Sequence, residues 1–133
     1  MHAAMSEPID DLRAAQPLLL ALHKALLDAE REQVERVHGR MSGPEFLQLI
    51  SDPVRYGWLK PFSQLILAVD DTLDPKEDEP HLEPQELLEQ ARTLVLPPKG
   101  DTPFGRRYAS LLQRAPELVM AHSDVAKTLG REP

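Results

Sequence analysis

The chain has 133 residues, a length that suits one domain and is too short to expect two. Hydrophobic residues make up 41% of it and charged residues 28%, which is typical of a folded protein rather than a disordered one. The net charge of −7 at pH 7 would be repelled by a phosphate backbone or an anionic membrane face. Arg106 and Arg107 form the only adjacent basic pair, so no nucleic-acid or membrane partner is expected.

Cysteine is absent, which excludes disulfides, thiolate metal ligands and cysteine nucleophiles and is typical of a reducing compartment. The N-terminal residues MHAAMSEPID show no basic segment followed by an apolar run, so no signal peptide is expected. The longest apolar run, residues 17–22, is far shorter than the roughly 20 residues needed to cross a bilayer. These features predict a cytoplasmic location.

Residues 1–7 are predicted to be a flexible tail, and the first long helix is predicted over residues 17–38. Pro17 suits a first helical position, and Gly39 is a typical helix stop. At 100° per residue, the leucines and valines of this helix collect on one broad arc. The arc is wide enough to suggest an apolar surface that one neighbouring helix would not cover.

A short helical connector follows. Ser42 and Glu45 have capping-box spacing, and the pair Asp52-Pro53 predicts a second helix start. The next long helix is expected to begin at Pro61 and to run to about Leu73.

The rest of the chain has three predicted parts. Residues 74–83 form an acidic, proline-containing stretch that predicts a loop. A helix is expected over residues 84–96 and another over 103–129. Pro116 interrupts the latter, and predicts either a kink or two helices that meet at residues 114–115.

Apolar positions therefore recur with helical spacing, and no alternating run predicts a strand. The predicted fold is all-α. We expect a single domain over residues 1–133, built as a helical bundle of four main helices with the short helical connector between the first and second long helices.

Three polar residues fall on apolar helix faces, His23, Glu30 and His122, and Asp70 borders the apolar face of its helix. Two imidazoles and a carboxylate that meet in a bundle core suit a divalent metal such as iron or zinc, or a proton-transfer pair. The alternative is structural, since a core histidine commonly bonds to a neighbouring group and a glutamate commonly pairs with a nearby arginine. Beyond this metal site, no cofactor is predicted.

The connector concentrates a different set of residues: Arg40, Arg55, Tyr56 and Trp58. Such residues are typical of an anion pocket or of the centre of a protein–protein contact. The alternative is that the two aromatic rings cover the end of the core while the arginines pair with acids. The sequence predicts that these four residues form an interaction surface.

Motifs for catalysis are lacking in the sequence. Glu35 and His38 have the Glu-x-x-His spacing of di-iron bundles, but no second copy occurs. Neither a nucleophile elbow nor a glycine-rich phosphate loop is present. The sequence therefore favours a non-enzymatic module that binds a protein partner or a second copy of itself, for instance as a homodimer. The alternative is a small metal- or ligand-binding bundle.

Overall fold

The computed structural model describes residues 7–75, 82–96 and 102–130, and this part of the chain is helical without a strand. The predicted tail over 1–7 and the predicted acidic loop over 74–83 lie mostly outside the described residues. No helix in the described ranges is long and apolar enough to cross a membrane. The elements are α1 (Pro8–His38), α2 (Gly43–Ile50), α3 (Pro53–Tyr56), a 3-10 turn (Gly57–Leu59), α4 (Lys60–Leu73), α5 (Pro84–Val95), α6 (Pro103–Leu112) and α7 (Pro116–Leu129).

The 31-residue helix α1 is the element around which the others pack, and it contacts α4, α5, α6 and α7. Its buried residues recur at spacings of three and four, which places them on one stripe of the helix. The first five are Leu12, Ala15, Leu19, Leu22 and Leu26. The broad apolar arc predicted for this helix is thus covered largely by the chain's own helices.

The start of α1 differs from the prediction. The helix begins at Pro8, and Pro17 lies inside it instead of opening it. An internal proline costs about 3 kcal/mol through its missing N–H and its clash with the preceding turn. Leu12 and Ala15 are nevertheless fully buried and continue the stripe of Leu19, and complete burial of one leucine alone contributes about 1.5–3 kcal/mol. Tertiary packing therefore outweighs the local signal.

The predicted helix stop before the connector and the two predicted helix starts within it are confirmed. Gly39, which follows α1, has a φ of 85°, a value in the left-handed region that favours glycine. The Ser42 hydroxyl accepts the Glu45 N–H while the Glu45 carboxylate accepts the Ser42 N–H, which forms the capping box of α2. Asp52 caps α3 by accepting the Val54 N–H at 3.0 Å.

The region around Pro116 holds two helices, the second of the two predicted arrangements. α6 ends at Leu112, and α7 begins at Pro116 after a break at residues 113–115. The last of the four main helices predicted from the sequence is therefore divided in two. Proline cannot donate the hydrogen bond that would continue α6, but it fits the first turn of α7.

Candidate functional site

A buried carboxylate joins the connector, residues 39–59, to the core. Glu30 of α1 is only 5% exposed, as its place on the apolar face predicted. One of its oxygens accepts two hydrogen bonds from Arg107 of α6, from Nε at 2.9 Å and from a terminal nitrogen at 2.7 Å. The other accepts the hydroxyl of Tyr56 at 2.9 Å. A single side chain thus links α1, α3 and α6.

Glu30 and its two donors, Tyr56 and Arg107, form a buried polar anchor. Burial and the hydrogen bond to Glu30 raise the pKa of Tyr56 to about 12, so the phenol stays neutral and donates.

Arg107 did not emerge from the sequence as the partner of Glu30, although pairing with an arginine was one of the alternatives. The sequence feature that could have indicated Arg107 is its position three residues after the buried Phe104, on the border of the inward face of α6.

A second tether holds the loop that leaves α1. Arg31 donates to the Met41 carbonyl at 2.7 Å and to Glu35 at 3.3 Å, and Glu35 accepts the Met41 N–H at 3.1 Å. That backbone N–H, together with Arg31 and Arg40, holds the pKa of Glu35 below its usual value. The Arg31 guanidinium also lies 5.8 Å from the centre of the buried Phe46 ring of α2. The connector is therefore fixed to α1 on two sides.

Between these tethers lies the connector groove, with a volume of about 340 Å³. Its floor is apolar, formed by the buried or half-buried side chains Val34, Met41 and Leu49. Its rim consists of exposed polar side chains: His38, Arg40, Glu45 and Arg55. An apolar floor with charged groups at the edge is typical of a site that takes an apolar side chain flanked by polar ones.

The four residues predicted as an interaction surface divide into two pairs. Arg40 and Arg55 are exposed on the rim of the connector groove. Tyr56 is only 6% exposed and its hydroxyl donates to Glu30, which corrects its predicted place on a contact surface. Trp58 is half-buried, packs against the core and lies 6.2 Å from the Tyr56 ring and 6.3 Å from that of Phe104. The two aromatic residues therefore follow the alternative arrangement and cover the end of the core.

The three residues predicted as metal ligands each contact a different partner. His23 Nε2 lies 3.1 Å from the Ser63 hydroxyl, and His122 Nδ1 lies 2.6 Å from the Tyr108 hydroxyl. Glu30 is bonded to Tyr56 and Arg107, as described above. Within the described ranges, no group of three or more histidine, aspartate or glutamate side chains is arranged to hold a metal ion. The structure thus does not bring His23, Glu30 and His122 together as a ligand set.

The contact of His23 with Ser63 places a histidine beside a serine hydroxyl, a group that can act as a nucleophile. Activation of a serine needs a histidine that is itself oriented by a third group, commonly a carboxylate. No described carboxylate is within ion-pair distance of His23, whose ring instead packs edge-on against Phe62 at 5.3 Å. Asp70, on the same helix as Ser63, accepts from Gln16 at 2.6 Å. These contacts join α1 to α4 and favour a structural role for the pair.

Burial of two histidines should make the stability of the fold depend on pH. Burial lowers the pKa of His23 and of His122 below the usual value of 6.5. The unfolded chain therefore binds more protons than the folded chain once the pH falls below that value, and the free energy of unfolding decreases. We expect the urea midpoint to fall as the pH decreases from about 7.5 to about 5.5, in the window where the unfolded histidines titrate.

The control for this prediction is His38, whose side chain is exposed at the end of α1. The variant His23→Gln/His122→Gln should lose most of the slope over this pH range, and His38→Gln should retain it. Hydrogen bonds from backbone N–H groups lower the pKa of Glu35 and Glu45 below 4.5, so their effect on stability is confined to more acidic solutions. A double variant with the slope of the unmodified chain would contradict the assignment.

Comparison with known proteins found no relative: no family model, curated protein or solved structure matches the chain.

Proposed function

We propose that this chain is a non-enzymatic helical module that binds a protein partner through its connector. The proposal rests on the positions of the large apolar side chains that are exposed. Five of those in the described residues are more than 60% exposed, and three of the five, Val37, Leu47 and Val54, lie within 18 consecutive positions. The elements that carry Leu47 and Val54, α2 and α3, pack against each other. Exposed apolar side chains that concentrate in one region are typical of interaction sites.

Rigidity of the connector supports the same function. Its loop is held by Arg31 and Glu35, and its second helix is held by the bond between Tyr56 and Glu30. A surface that is already ordered loses less conformational entropy when a partner binds. The short helices of the connector would thus present their exposed side chains in one arrangement.

The proposal is tested by affinity capture with two matched variants. Leu47→Ser/Val54→Ser removes exposed apolar groups from the connector, and Leu67→Ser/Met120→Ser removes groups of similar exposure from α4 and α7. Because all four side chains are exposed, both variants should keep the stability of the unmodified chain within about 0.5 kcal/mol for each substitution. The captured protein is then purified and its affinity for each variant is measured.

We expect a stoichiometric partner that binds the unmodified chain and the α4/α7 variant alike. The connector variant should bind at least about tenfold more weakly, which corresponds to about 1.4 kcal/mol. Sedimentation equilibrium of the same three proteins tests a second copy of this chain as the partner. Equal binding by the connector variant, or the absence of any stoichiometric partner or oligomer, would contradict the proposal.

A further inference from the structure

The rim of the connector groove carries two guanidinium groups and one carboxylate, in a chain whose net charge is −7. Residues 39–59 contain two arginines, Arg40 and Arg55, and two acids, Glu45 and Asp52, and all but Asp52 line the groove. Both acids are engaged at helix starts, where Glu45 accepts the Ser42 N–H at 2.7 Å and Asp52 accepts the Val54 N–H at 3.0 Å. The groove therefore has one more guanidinium than carboxylate on its rim, and that carboxylate already accepts a backbone N–H.

The two arginines at the groove differ from the arginines that stabilise the fold. Arg31 and Arg107 each donate to a carboxylate. Arg40 and Arg55 form no ion pair within 4.0 Å in the described parts of the chain. Glu35, the carboxylate whose pKa Arg40 helps to lower, accepts bonds from Met41 and Arg31. The guanidinium groups on the rim are thus available to a ligand.

From these contacts we infer that the connector groove receives an acidic segment of the partner protein, and this inference rests on the proposed function. An apolar side chain of that segment packs on Val34, Met41 and Leu49, and flanking carboxylates accept hydrogen bonds from Arg40 and Arg55. The planar donor fork of arginine matches a carboxylate in geometry as well as charge. A volume of about 340 Å³ suits one or two large side chains.

The experiment titrates the ¹⁵N-labelled chain with a synthetic peptide of alternating Glu-Glu and Leu-Leu pairs, and with its Lys-Lys counterpart. The acidic peptide should shift the amide signals of Gly39, Met41, Leu49 and Arg55, and added salt should weaken its binding. The basic peptide should leave these signals in place. Arg40→Glu/Arg55→Glu should reduce affinity for the acidic peptide by at least about tenfold and create binding of the basic one.

A matched control separates local charge from net charge. Arg13→Glu/Lys127→Glu changes the net charge by the same amount at exposed positions that do not line the groove, and it should bind the acidic peptide like the unmodified chain. Thermal unfolding and circular dichroism of both variants show whether they are folded. If the rim variant is not folded, Arg40→Gln/Arg55→Gln replaces it and should lose the acidic peptide without gaining the basic one.

The outcomes distinguish this inference from the proposed function. No binding of the acidic peptide, or equal loss in the control variant, would overturn the inference. A captured partner that needs Leu47 and Val54 but binds Arg40→Glu/Arg55→Glu normally would overturn it while leaving the proposed function intact. Groove-dependent binding to phosphatidylserine vesicles, or to a second copy of the chain instead of the peptide, would also overturn it.

Discussion

Loss of the Glu30 carboxylate should destabilise the protein more than loss of any exposed charge on α1. In Glu30→Ala, the guanidinium of Arg107 and the hydroxyl of Tyr56 lose their common acceptor. Removal of one partner from a buried ion pair costs about 3–5 kcal/mol. Because the Arg107 side chain is 36% exposed and can turn toward water, we expect a value near the lower end, about 3 kcal/mol, measured by urea unfolding.

Asp28 is the matched control on the same helix, since it pairs with Lys24 at 2.8 Å and both side chains are more than 60% exposed. Asp28→Ala should change the free energy of unfolding by no more than about 0.5 kcal/mol. Glu30→Gln keeps an acceptor without the charge and should lie between the two. A loss in Glu30→Ala as small as that in Asp28→Ala would contradict a stabilising role for the anchor.

The anchor can also be replaced rather than broken. Glu30→Met/Tyr56→Phe/Arg107→Leu removes all three polar groups together and leaves none of them buried without a partner. Apolar replacement of a buried charged group is often neutral or stabilising. We therefore expect the triple variant to recover a large part of the stability that Glu30→Ala loses. Recovery would show that the cost lies in the unpaired groups left behind.

Local signals predicted the ends of most elements, and one local signal misled. The caps at Ser42 and Asp52 were visible because each acts on backbone groups within three residues of itself. Pro17 is the opposite case, since its local preference for a helix start is overruled by burial of Leu12 and Ala15 against other helices. Packing partners of this kind are distant in sequence, so the beginning of α1 could not be placed by spacing alone.

The candidate site was predictable in its residues more than in its geometry. Burial of Glu30 follows from the helical period, but its partner Arg107 is 77 positions away, and sequence does not state which helices face each other. Tyr56 lies in a helix of four residues, too short for a period to show which way its ring points. Arg40 and Arg55 were predicted as part of an interaction surface, but their shared place on the rim of one groove follows only from the structure.

Truncation of Phe104 should produce the other large loss of stability, in the aromatic part of the core. Phe104 is 2% exposed at the first turn of α6, and three aromatic rings surround it. Its ring centre lies 5.3 Å from that of Tyr108, 5.9 Å from that of Phe62 and 6.3 Å from that of Trp58. Phe104→Ala leaves a cavity among these rings and should cost about 3–5 kcal/mol, a large share of the 5–15 kcal/mol typical of a domain.

Trp58, the only tryptophan in the chain, reports the same change by fluorescence. With the Phe104 ring gone, the indole loses a neighbour on its core side, and its emission should shift toward longer wavelength in the folded variant. Leu67→Ala, at a position 63% exposed on α4, should leave both the emission and the urea midpoint unchanged. Because Trp58 also lies beside Tyr56, a shift in Phe104→Ala together with weaker partner binding would connect the core of the bundle to the connector. An unshifted emission with a stability equal to that of Leu67→Ala would contradict the packing described for Phe104.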